Sequence, residues 1–169
     1  ERGGPEMIFA LVMVPFVAGM LAILIRQNFL RRALLILSAL VHLGLTICVF
    51  FIRPEPVLRG WYAIDSLGIL FLGIMSVLFC GASFYAVRYL KQESVHEKEN
   101  PEEGVLFRNA SEAAFIGCLL LFLASMTLAI ISQHLGILWV AMEATTLVSA
   151  PLIYFHRQAR SLEATWKYL

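Results

Sequence analysis

The sequence predicts an all-α, polytopic transmembrane bundle of five spans followed by the start of a sixth helix. Two observations lead there. Of its 169 residues, 60% are hydrophobic, against roughly 45–50% in soluble domains. That excess is gathered into runs long enough to supply the ~20 apolar residues needed to cross a bilayer core of about 30 Å. The charged residues fall between the runs. A net charge of only +1 gives no strongly basic surface of the kind nucleic acids attract, and none is expected as a partner.

The first span is expected over 7–25, tolerating Pro15 and Gly19 as membrane helices often do. It is too long for the apolar core of a signal peptide and lacks a small-residue cleavage site after it. The second span, 33–52, is centred near His42. The third, 66–87, has Asp65 and Ser66 placed to cap its N-terminus. The fourth, 113–132, follows Ser111 and Glu112, which suit a helix start. The fifth is 135–155. The chain opens "ERGGPEMIF" without an initiator Met and stops in "SLEATWKYL", where Ser161 and Glu163 mark a new helix start. The expectation is a piece of a longer polypeptide.

The connections carry the orientation. "RQNFLRR" is a short basic turn, and "RPEPVLRGWYAID" places Trp61 and Tyr62 where aromatic side chains favour the membrane interface. The stretch 88–112 is a long polar loop without apolar periodicity, and spans four and five form an antiparallel hairpin. Of the 13 Lys and Arg residues, only Arg2, Arg53 and Arg59 fall on one side. The rest share the side holding the first, third and fifth connections. Such a bias predicts an N-terminus outside and the long loop in the cytoplasm.

Cys48, Cys80 and Cys118 each sit in a different apolar run, no CxxC pair exists, and the four histidines are scattered. No metal, iron–sulfur cluster or other cofactor is expected in this chain, and no catalytic nucleophile or phosphate loop can be assembled. The informative residues are ionisable groups near the bilayer middle, Glu143 and His42. A mid-helix charge costs at least about 2.5–3.5 kcal/mol even on the forgiving insertion scale. Removal from water favours a protonated carboxyl, whereas a nearby cation favours the carboxylate. A carboxyl poised between the two can relay protons. Trp139, Thr146 and Ala150 share the side of Glu143 at helical spacing, and Pro151 removes a backbone donor near the end of the span. The bland alternative is a glutamate that only specifies packing.

The lesser candidates each have a structural alternative. His42 can transfer protons or hydrogen-bond a neighbouring helix. His134, in a tight turn, can line a proton exit. Lys167 can take part in proton transfer or snorkel to the interface. Asp65 reads as a cap.

The stretch "LGILWVAMEATTLVSAPLIYFHRQARSLEATWKYL" resembles the fifth helix and following segment of the antiporter-like, proton-conducting membrane subunits of complex I, Mrp antiporters and membrane-bound hydrogenases. The pattern W-x-x-x-E-x-x-[ST]-L-x-S is present as Trp139, Glu143, Thr146, Leu147 and Ser149. "MEATTLVSAPLIYF" looks most like hydrogenase-4 component F, and "DSLGILFLGIMSVLF" resembles the third helix of the same proteins. The resemblance implies that Glu143 is the essential glutamate of a proton path, working with a lysine on a seventh helix that this sequence does not contain. It matches Lys167 to a sixth-helix lysine. It also implies a parent fold of about fourteen helices with two inverted repeats, of which 1–169 is the N-terminal part.

The function so implied is a proton-translocating membrane subunit of a membrane-bound [NiFe]-hydrogenase or related complex I-like oxidoreductase. Its partners would be other membrane subunits and soluble electron-transfer subunits, with nickel–iron and iron–sulfur centres in those partners. The alternatives are a Mrp-type cation/proton antiporter subunit and a structural membrane subunit with no transport role.

Overall fold

In a lipid environment a helix gains little by merely hiding apolar surface from another helix. Association depends on close packing and on hydrogen bonds between helices. The computed structural model of the chain describes residues 4–99, 112–154, 163 and 165–167. Its elements are α1 (Gly4–Leu24), α2 (Asn28–Ile52), α3 (Ser66–Glu99), α4 (Glu112–Ile131) and α5 (Leu135–Ile153). All five contain a stretch long and apolar enough to cross a membrane.

The inward faces of the first four helices advance in steps of three and four. The buried stripe is Ile8, Leu11, Pro15, Ala18 and Ala22 on α1, and Leu35, Ala39, His42, Thr46 and Val49 on α2. On α3 it is Leu72, Ser76, Phe79, Ser83, Ala86 and Leu90, and on α4 Ile116, Leu120, Leu123, Thr127 and Ile131. Such alternation keeps one seam facing its neighbours along the length of a helix. The α4 helix packs against both α1 and α5, and α2 against α1 and α3, while α2 and α3 also reach α4. Among the described helices, α5 packs on α4 alone.

The α1–α4 contact is close because it is built on glycine. A Cβ placed on Gly117 would lie 2.5 Å from Ile23 Cγ1 and 3.2 Å from the carbonyl oxygen of Gly19. A Cβ on Gly19 would lie 3.0 Å from Leu121 Cγ and 3.1 Å from the Gly117 carbonyl oxygen. The absence of a Cβ at both positions therefore lets each helix come close to the other's backbone and seat Ile23 and Leu121 in the gap, the small-residue route to membrane helix packing.

Polar groups tie the two ends of the bundle. At one end, Arg31 Nε donates to the Ala22 carbonyl oxygen, 3.2 Å away. Arg32 forms a two-pronged ion pair with Glu112, Nε to Oε1 at 2.7 Å and Nη2 to Oε2 at 2.9 Å. Its Nη2 also donates to the Leu90 carbonyl oxygen at 3.2 Å. One guanidinium so joins α2, α3 and α4. At the opposite end, the loop after α2 runs along the α4–α5 turn. Ala63 N–H donates to the Ile131 carbonyl oxygen and Gln133 N–H to that of Trp61, at 3.0 and 2.8 Å. The Phe9 and Tyr62 rings meet edge to face at 6.2 Å, bringing the start of α1 to the same end.

Several boundaries differ from the sequence expectation. The α2 helix starts at Asn28 rather than 33, so most of the basic turn is its first turn, and the turn itself is reduced to Ile25, Arg26 and Gln27. The α3 helix continues from the expected limit at 87 to Glu99, which makes the first half of the expected loop helical. At a rise of 1.5 Å per residue its 34 residues extend about 50 Å, well beyond a bilayer core of about 30 Å. Lys, Gln and Glu are good helix formers, and Asn100–Pro101 is the first strong stop after them. The α5 helix ends at Ile153, two residues before the expected limit. Asp65 caps α3 as expected, its Oδ1 accepting from Gly68 N–H at 2.7 Å. Ser111, Phe155 and Ser161 lie outside the described residues.

Candidate functional site

Glu143 sits at the middle of α5, on the face turned away from α4. It is exposed in the described bundle, as are Trp139, Met142 and Leu147 around it. The opposite face of α5 buries Ala141 and Ser149, and Ala150, seven residues on from Glu143 and so on its side of the helix, is buried near the end of α5. Thr145 lies at that inner contact, with its Oγ1 2.8 Å from the Ala141 carbonyl oxygen and 3.1 Å from Ser125 Oγ of α4. Ser125 in turn donates to the Phe122 carbonyl oxygen at 3.0 Å. The α5 helix is thus pinned by its small and hydroxyl-bearing face, and the carboxyl is presented on the other.

The residues expected beside Glu143 divide. Thr146 donates to the Met142 carbonyl oxygen of its own helix at 3.1 Å, so its hydroxyl proton is engaged. Trp139 is exposed, whereas Ala150 is buried. The helix runs through Pro151 to Ile153 and closes with Tyr154 N–H donating to the Ala150 carbonyl oxygen at 3.1 Å.

The remaining candidates lie apart from one another. His134 is the N-cap of α5, its Nδ1 accepting from Gly136 N–H at 3.2 Å, and its ring lies 4.7 Å from that of Trp61. Lys167 Nζ is 2.6 Å from Glu163 Oε1, one turn away on the same helical segment, and both side chains are largely exposed. His42 is fully buried in a polar layer that sequence reasoning did not assemble. Its Nε2 lies 3.0 Å from Thr127 Oγ1 of α4 and its Nδ1 3.0 Å from Ser76 Oγ of α3. Ser76 Oγ is also 2.9 Å from Thr46 Oγ1. The signal for it was the α2 stripe, which puts His42 and Thr46 on the same inward seam as Leu35, Ala39 and Val49. Among the described residues, no three His, Cys, Asp or Glu side chains come together to hold a metal ion.

Comparison with known proteins gives no match to a family model and none to a solved structure. Among curated proteins, the chain is similar to a hydrogenase-4 component F homolog of Methylacidiphilum infernorum (isolate V4). The two are 23% identical over 159 residues, which are 94% of this chain and 31% of the relative. The chain therefore spans about a third of that relative's length. It is a multi-pass, all-helical membrane protein, similar along nearly its whole length to part of a hydrogenase-4 component F-like protein.

Proposed function

We propose that this chain is the N-terminal part of a proton-translocating membrane subunit in a [NiFe]-hydrogenase or related complex I-like oxidoreductase. The observation that carries the reading is Glu143, a carboxyl at the centre of a membrane helix, exposed on a face that no described helix covers. A carboxylate facing lipid is costly, and acids within membrane spans characteristically face a bundle interior or a water-filled path. The resemblance of "WVAMEATTLVS" and the similarity to a hydrogenase-4 component F homolog support the same role.

In this mechanism Glu143 takes up a proton when the neighbouring cation is withdrawn and releases it when the cation returns. The cation is a lysine on a later helix that packs against the Glu143 face of α5. A unit charge pair about 4 Å apart, at an effective dielectric near 20, interacts by about 4 kcal/mol. Making and breaking such a pair is enough to switch the carboxyl between holding and releasing its proton. Lys167, paired with Glu163 on the following helical segment, continues the polar axis. Electron transfer takes place in soluble partner subunits that hold the nickel–iron and iron–sulfur centres. The N-terminus lies outside a prokaryotic cytoplasmic membrane, with the Arg32–Glu112 end inside.

The reading predicts that the complex isolated from native membranes through this subunit contains nickel and iron. It also predicts that vesicles holding that complex move protons when supplied with an electron donor. Proton movement driven by a Na⁺ gradient alone, in a complex without nickel, would instead place the chain in a Mrp-type antiporter.

A further inference from the structure

We infer that His42 is an uncharged positioning residue, which fixes α4 as the platform for α5 and takes no part in relaying protons. The hydrogen-bond geometry sets its tautomer. Thr127 Oγ1 donates to the Leu123 carbonyl oxygen at 2.7 Å, so toward His42 it offers only a lone pair. Nε2 must therefore bear the proton shared across the 3.0 Å contact. That leaves Nδ1 as the acceptor for the Ser76 hydroxyl, also at 3.0 Å. Thr46 then donates to Ser76 Oγ or to the His42 carbonyl oxygen, both at 2.9 Å. Every buried polar atom of the cluster has a partner in this assignment.

The surroundings favour the neutral ring. Among the described residues the imidazole is hydrogen-bonded to two hydroxyls, Ser76 on α3 and Thr127 on α4, and a third, Thr46 on its own helix, contacts Ser76 and the His42 carbonyl oxygen. No described carboxylate or cation hydrogen-bonds to the cluster. Apolar layers flank it, with Leu11, Val49 and Leu72 toward one end and Leu35, Ala39, Phe79 and Leu120 toward the other. Among the described residues an imidazolium here would have no hydrogen-bonded counter-charge, and a buried charge without a partner is strongly disfavoured.

Position gives the cluster its use. Thr127 ties one face of α4 to α2 and α3. Ser125, two residues away and so on nearly the opposite face, ties α4 to α5 through Thr145. Because α5 packs on α4 alone among the described helices, the placement of Glu143 depends on where α4 is held.

This inference rests on the proposed role of Glu143 only for its effect on coupling; the neutral pin stands on the hydrogen bonds. The test compares His42→Gln with His42→Leu in the intact complex. A glutamine amide offers a donor group at one end and an acceptor at the other, as the neutral ring does, but cannot become a cation. We expect His42→Leu to raise the unfolded-to-folded ratio about tenfold or more, since it strands buried hydroxyls. We expect His42→Gln to keep near wild-type stability and an unchanged pH profile of proton movement per redox turnover between about pH 5 and 8. An assembled His42→Gln complex that loses proton movement, or shifts its pH profile, would overturn the inference and make His42 a proton carrier. Wild-type stability and coupling in His42→Leu would overturn it as well. Proton movement unaffected by Glu143→Gln would sink the proposed function instead, while the stability contrast at His42 still reports on the pin.

Discussion

Replacing Arg32 by alanine should destabilise the bundle by about 3 kcal/mol, the low end of the range for breaking a buried ion pair. The side chains of Arg32 and Glu112 are 17% and 12% exposed, and the pair is two-pronged. Its removal leaves the Glu112 carboxylate without its partner and takes a donor from the Leu90 carbonyl oxygen. The low end is appropriate because Glu112 opens α4, where the helix dipole favours a negative charge. Arg32→Lys should fall between alanine and wild type, since an ammonium cannot reproduce the planar fork. Unfolding of the purified protein in mixed micelles reads this directly. Equal stability of Arg32→Ala and wild type would show that the clamp holds nothing together.

Gly117→Leu should have a comparable effect by a different route. The added side chain must enter where Ile23 Cγ1 and the Gly19 carbonyl oxygen already stand. Ile23 can swing aside, but the α1 backbone cannot yield without separating the helices. Overpacking a well-filled core costs about 1–3 kcal/mol, occasionally more, and here it would pry α4 away from one of its principal packing partners. Gly73→Leu is the matched control, because a Cβ there meets nothing within 4 Å. We expect Gly117→Leu to reduce the amount of assembled protein in membranes while Gly73→Leu accumulates normally. Equal accumulation of the two would mean that α1 and α4 are not held by close approach.

These two sites mark the limit of what the sequence makes legible. Hydropathy locates all five helices because each must fill a bilayer with apolar residues, and Asp65 is readable as a cap because capping is local. The continuation of α3 to Glu99 escapes a search for apolar periodicity, since a helix in water need have no apolar face there. The partner of Arg32 lies 80 residues away in the sequence, and no local pattern connects them. Similarly, Gly19 and Gly117 are ordinary glycines until α1 and α4 are brought together.

The candidate site shows the same division. Glu143 is conspicuous in the sequence because a carboxyl is out of place in an apolar run. Its presentation on the exposed face of α5 is a consequence of Ala141, Thr145 and Ser149 taking the inner one. His42 is conspicuous for the same reason as Glu143, yet its three hydroxyl partners come from three helices. Thr46 is one turn along on α2 and visible as such. Ser76 and Thr127 become neighbours only through the fold.

The central claim, that Glu143 is on a proton path, is tested most directly by proton uptake in vesicles holding the intact complex, with redox turnover followed in parallel. Glutamine preserves the size and hydrogen-bonding capacity of the side chain but cannot release a proton. If Glu143 carries the proton, Glu143→Gln assembles and proton uptake per turnover falls at least about tenfold, the change set by ~1.4 kcal/mol. Unchanged uptake in an assembled Glu143→Gln complex would contradict the account and leave Glu143 as a packing residue.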